Sequence, residues 1–102
     1  MFVAMNRFRV VKGSEEAFEE IWRSRETRLE EMAGFESFHL LRGPSTEEHT
    51  LYASHTVWAD RTAFEAWTRS EQFRAAHKDA GKNKALYLGA PDFEGFEAVV
   101  GA

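Results

Sequence analysis

The sequence contains no cysteine. That removes disulfides, thiolate nucleophiles and thiolate metal sites together, and leaves imidazole, carboxylate and carbonyl as the available ligand types. Proline is scarce, with 2 residues, and the 7 glycines are scattered, so no Pro-rich or Gly-rich stretch marks a linker. Long apolar runs are also missing. No segment approaches the roughly 20 apolar residues of a membrane span, and residues 1–10 lack a basic leader followed by an apolar core. The expectation is a cytoplasmic protein with no membrane partner. An excess of positive charge is absent too: 13 Lys and Arg face 17 Asp and Glu, a formal net charge of −4. Binding driven by phosphate neutralisation, and hence nucleic acid, is not expected.

Familiar catalytic signatures are lacking as well. There is no dinucleotide fingerprint, no phosphate loop and no Gly-x-Ser-x-Gly elbow. The four histidines, His39, His49, His55 and His77, stand in none of the spacings that build a multi-histidine metal site. What the chain does have is aromatic surface. Of 102 residues 14% are aromatic, including 9 Phe and 3 Trp, within a composition that is 43% hydrophobic. The length allows one domain, spanning residues 1–102, and the surplus of rings suits a flat ligand.

Residues 2–11 alternate at period two, with Phe2, Ala4, Asn6, Phe8 and Val10 on one side, and predict a strand ended by Gly13-Ser14. Ser14 is placed to cap a long amphipathic helix reaching Gly34, on which Phe18, Ile21, Trp22, Leu29 and Met32 recur at helical spacing. Strands are predicted over about 35–42 and 50–58, joined as a hairpin by Gly43-Pro44-Ser45-Thr46. Ala59-Asp60 opens a second helical region that carries Phe64 and Trp67, bends at Ser70 and continues through Phe73, Ala76 and His77. Gly81 reads as its C-cap, residues 82–92 as a loop and 93–100 as a closing strand. The order β-α-β-β-α-β predicts an α+β, ferredoxin-like antiparallel sheet with the helices on one face. The bare opposite face then calls for a homodimer, provided that Arg7 and Arg9 on that side find carboxylates or water.

Asn6 is the most informative polar residue, because it interrupts the apolar face of a strand. Its amide is either satisfied by backbone at a bulge or aimed into a space between sheet and helices. His77 lies one helical turn after Phe73 and near the 82–92 loop, beside an aromatic wall. Trp67 taken singly is an ordinary core residue. Ten helical residues rise about 15 Å, so Trp67 and His77 reach one large planar ligand only if the helix bends at Ser70.

Met5-Asn6-Arg7, Ala33-Gly34-Phe35 and Phe64-x-x-Trp67-x-x-Ser70-x-x-Phe73-x-x-Ala76-His77-Lys78 together resemble the IsdG-type haem-degrading monooxygenases, within the superfamily of dimeric α+β barrels that includes the antibiotic biosynthesis monooxygenases. The resemblance spans nearly the whole chain. It implies a homodimeric enzyme that takes haem as both substrate and cofactor, draws electrons from an external donor or separate reductase, and uses O2 to open the porphyrin and release iron. It implies that His77 is the proximal ligand of the haem iron, that Asn6 donates a hydrogen bond on the distal side and that Trp67 presses on the porphyrin. Phe64 and Phe73 would line the ring, and Trp22 and Arg25 fall where family members contact the ring or its propionates. Lys82 and Lys84 stand where they could meet propionates or remain solvated. Ala33 replaces the proline that the family often has before Gly-Phe. Two other readings use the same pocket: a haem carrier or buffer, and a cofactor-free monooxygenase of a polycyclic aromatic or quinol.

Overall fold

A computed structural model of the chain describes residues 1–25, 27–77 and 85–101. Its elements are β1 (Phe2–Val11), α1 (Glu15–Ser24), a single 3-10 turn (Leu29–Glu31), β2 (Phe35–Ser45), β3 (His49–Trp58), α2 (Arg61–Thr68), α3 (Glu71–His77) and β4 (Asp92–Glu97). The strands form one sheet in the order β2-β3-β1-β4, antiparallel throughout. This is the α+β, ferredoxin-like fold the sequence predicts, with the second helix divided in two. No helix among the described residues is long and apolar enough to cross a membrane.

Register explains where the fold leaves room. Phe2, Ala4, Asn6, Phe8 and Val10 of β1 stand opposite Trp58, Thr56, Ser54, Tyr52 and Thr50 of β3. The bulky members gather at the two ends of this face. Phe2 and Trp58 pack with Leu29, Phe64 and Trp67, while Phe8, Val10 and Tyr52 pack with Phe18 and Trp22. Each fully buried large side chain stabilises the fold by about 1.5–3 kcal/mol. Between the clusters the sheet floor is Ala4, Asn6, Ser54 and Thr56, side chains too short to reach the helices, and a hollow opens above them.

The long first helix is not observed. Positions 25 and 26, which should carry the apolar stripe between Trp22 and Leu29, are Arg25 and Glu26, so a continued helix would have nothing apolar to bury there. The chain leaves the helix at Arg25 in an extended conformation and passes through Arg28 at φ 55°. It then lowers Leu29, only 3% exposed, into the cluster beside Phe2 and Trp58. Ser14 holds the cap position without using its side chain; the Glu15 carboxylate instead accepts a hydrogen bond from the Gly13 N–H at 2.8 Å.

The hairpin turn lies later than predicted. β2 runs on through a bulge to Ser45, and Thr46 organises the turn, its hydroxyl accepting from the N–H groups of Glu48 and His49, both at 3.2 Å. β4 begins at Asp92 and stops at Glu97, leaving Val99 and Val100 exposed. Part of the 82–92 loop is anchored: Tyr87 bridges to Val10, and the Leu88 N–H donates to the Arg9 carbonyl at 2.7 Å. Gly81, Lys82 and Lys84 lie outside the described residues. On the open face of the sheet Arg7 finds its carboxylate in Glu94 of β4. The same face carries Val3, Met5, Leu51, Val57, Leu41 and Phe96.

Candidate active site

The division between α2 and α3 builds one wall of the hollow. The Ser70 hydroxyl donates to the Trp67 carbonyl at 2.6 Å and accepts from the Phe73 N–H at 3.1 Å, closing α2 and opening α3 with one side chain. The bend folds His77 back onto Trp67. Their ring centroids are 5.8 Å apart, in place of the roughly 15 Å of a straight helix. Phe73 fills the corner, edge-on to Trp67 at 4.8 Å and stacked on His77 at 4.1 Å.

His77 Nδ1 lies 2.8 Å from the Phe73 carbonyl oxygen. A carbonyl only accepts, so Nδ1 carries the proton and Nε2 keeps its lone pair. Burial pushes the His77 pKa below its ordinary 6.5. The bond to Phe73 opposes that shift, and the nearby charge of Arg25 adds to it. At neutral pH the imidazole is therefore an uncharged, fixed-tautomer nitrogen donor.

Asn6 sits on a regular stretch of β1 between Ser54 and Phe93, with no bulge at its position. Its carboxamide makes no hydrogen bond with any described residue, so the bulge-satisfied alternative does not apply. Trp22 stacks on Phe38 at 5.7 Å, and the Arg25 guanidinium lies 4.2 Å from the centroid of the Trp22 ring. No described carboxylate pairs with Arg25, and burial lowers its pKa. The Trp67 indole N–H is buried without an acceptor among the described residues.

All of these side chains line a single cleft of about 370 Å³: Asn6 and Trp22 with Arg25, Phe64 and Trp67 with Phe73 and His77. Its described walls contain no aspartate or glutamate. A smaller recess of about 120 Å³ shares Asn6, Trp22, Arg25 and His77 with it and is closed by Phe8, Phe18 and Tyr87. His39, His49 and His55 do not reach either cavity.

Several lining residues escaped the sequence reading. Ser54 and Thr56 form the floor, and the signal for them was the small polar centre of the β3 alternation between Tyr52 and Trp58. Phe93 stacks on Phe64 at 5.7 Å and 11°, from a strand whose pairing with β1 no local pattern announces. Among the described residues no group of three or more His, Cys, Asp or Glu is arranged to hold a bare metal ion.

The antibiotic biosynthesis monooxygenase family matches residues 1–79. A haem oxygenase (staphylobilin-producing) of Staphylococcus haemolyticus is 29% identical over 85 residues, covering 83% of this chain and 81% of that protein. The haem-degrader MhuD of Mycobacterium tuberculosis, solved with two haems in its active site, superposes with a TM-score of 0.75 at 28% identity, over 100% of this chain and 99% of that one. SnoaB of Streptomyces nogalater, a cofactor-independent oxygenase, shares the fold with a TM-score of 0.69 at 24% identity, over 98% and 94% of the two chains. With its fold, its sequence match over most of its length and these relatives in accord, the chain belongs to the antibiotic biosynthesis monooxygenase family.

Proposed function

We propose that the protein is a haem-degrading monooxygenase. The observation that carries the reading is the convergence of a neutral imidazole, an unpartnered carboxamide and a braced indole on one aromatic cleft. This donor set fits haem. One imidazole nitrogen with flat apolar walls suits a metal that arrives with its other ligands already in a plane. The similarity to the staphylococcal haem oxygenase and to MhuD supports the same substrate.

In this reading Nε2 of His77 would hold the iron, and the hydrogen bond from Nδ1 to the Phe73 carbonyl fixes the ring and its tautomer. The Asn6 carboxamide, which lines the cleft without a described partner, would offer an N–H donor to negative charge there without ionising; one such donor is typically worth about 3 kcal/mol. Trp67, packed against Trp58, Phe64 and Phe73, presents a rigid indole that would press on the bound porphyrin. Phe64, Phe73 and Trp22 exclude water, and Arg25 faces the ligand's carboxylates. When bound, haem supplies both the iron that activates O2 and the carbon that is oxidised, with electrons drawn from an external reductant. The products are iron and an open-chain tetrapyrrole.

Ferric haem titrated into the apoprotein is expected to give a sharpened Soret band with a defined end point. His77→Ala should abolish that ligated spectrum. Asn6→Ala should keep it and lose most of the turnover with reductant and O2. A cofactor-free oxygenase predicts instead that His77→Ala leaves activity unchanged, and a mere haem carrier predicts no turnover once catalase removes peroxide.

A further inference from the structure

The macrocycle of haem is nearly fourfold symmetric, and apolar walls alone hold such a disc without fixing its rotation in its own plane. Its two carboxylates sit on one edge, so whatever binds them sets which carbon faces the reacting side. Two features of the structure converge on that task. Arg25 is half-buried with no carboxylate partner among the described residues, held over Trp22 in both cavities. A guanidinium drawn half out of water without an anion gains from any ligand that supplies one.

The second feature is Tyr87, which lines the smaller recess together with Arg25, Asn6 and His77. Its backbone is bridged to Val10, and its ring is wedged edge-on against Phe8 at 5.5 Å and Phe18 at 6.4 Å. A side chain held in this way loses little freedom on binding. Its hydroxyl makes no hydrogen bond with any described residue, and it lines the same recess as Arg25. Arg25 already faces the ligand's carboxylates in the reading above; we propose that Tyr87 completes a carboxylate-binding recess with it, as a positioning residue that fixes the in-plane orientation of the haem and so determines which meso carbon is oxidised. This rests on the haem reading above.

The test compares haem with its dimethyl ester, which keeps the ring and iron and blocks both carboxylates. Tyr87→Phe preserves the ring contacts with Phe8 and Phe18. It is expected to bind haem roughly three- to tenfold more weakly than the parent protein, and to bind the dimethyl ester equally well. The parent should give one dominant product isomer from haem, and Tyr87→Phe a mixture. Arg25→Gln, with Tyr87 intact, should lose the same preference for the free acid over the ester. Unchanged haem affinity and isomer pattern in Tyr87→Phe, with a normal Soret band, would overturn the role of Tyr87 and leave the haem reading standing. An equal loss of affinity for the ester would reduce Tyr87 to a packing residue. Failure of the parent protein to ligate haem at all would overturn both.

Discussion

His77 shows how one side chain ties fold to chemistry. Its neutral form is favoured by burial, so its folded pKa is lower than its unfolded value near 6.5. Below 6.5 the unfolded chain takes up a proton that the folded chain resists. The stability contributed by this group is therefore fully present above 6.5 and is lost as pH falls from there through the folded value. Haem ligation should persist to a lower pH than an exposed histidine allows, and a Soret titration between pH 7.5 and 4.5 checks this. Loss of the ligated band already at pH 7 would contradict it. Tyr52 is the counterpart at the other end of the sheet. Burial, reinforced by the hydrogen bond its phenol donates to Glu19, pushes its pKa up to about 12. It remains a neutral donor at all ordinary pH. Tyr52→Phe should cost about 1–2 kcal/mol in urea unfolding, since Glu19 keeps Arg23 and Arg42 as partners. At this level the sequence was informative wherever a residue broke a pattern: Asn6 in an apolar strand face and His77 beside Phe73 are visible as anomalies. Tyr87 was not, because it lies in a stretch without period and reaches its recess through a backbone bridge to Val10.

Elements position these residues through a few junctions. The α2–α3 bend depends on the Ser70 hydroxyl, which serves both helix ends. Ser70→Ala should destabilise the protein by about 1 kcal/mol and weaken haem binding several-fold, read by thermal unfolding and by Soret titration; unchanged affinity would mean that the aromatic corner of Trp67, Phe73 and His77 holds without its latch. Gly34 governs the entry to β2. It has φ +85°, and a Cβ there would lie 2.5 Å from that of Ala63 on α2. Gly34→Ala should cost roughly 1–3 kcal/mol in unfolding free energy through backbone strain and overlap together. The bend at Ser70 and the order of elements along the chain followed from capping chemistry and hydrophobic period. The first helix did not, because spacing counts apolar residues and gives no weight to the turn at Arg25 and Glu26 that has none. Only tertiary packing shows that Leu29 reaches the core better from a 3-10 turn.

For the whole molecule, the open face of the sheet is the remaining unfinished surface. Leu41 and Phe96 on it are 43% and 48% exposed, beside Val3, Met5 and Val57. A homodimer that covers this face is expected, with a sedimentation mass near twice 11.7 kDa. Leu41→Glu should shift it toward the monomer, and a monomeric parent protein would contradict the expectation. The paired clusters at the ends of the sheet and the short floor between them explain why a chain of this size can hold a cleft at all. The ends carry the stability, and the centre is free to be hollow. That division was only half legible beforehand, because each strand's alternation is local while the register that brings Ala4 and Asn6 against Thr56 and Ser54 is not. Whether the cleft performs the chemistry assigned to it is decided most directly by the mass of the pigment formed from haem with reductant and O2 in the presence of catalase. The expected result is an open-chain, oxygenated tetrapyrrole with iron recovered free in solution. Recovery of intact haem alone would contradict it.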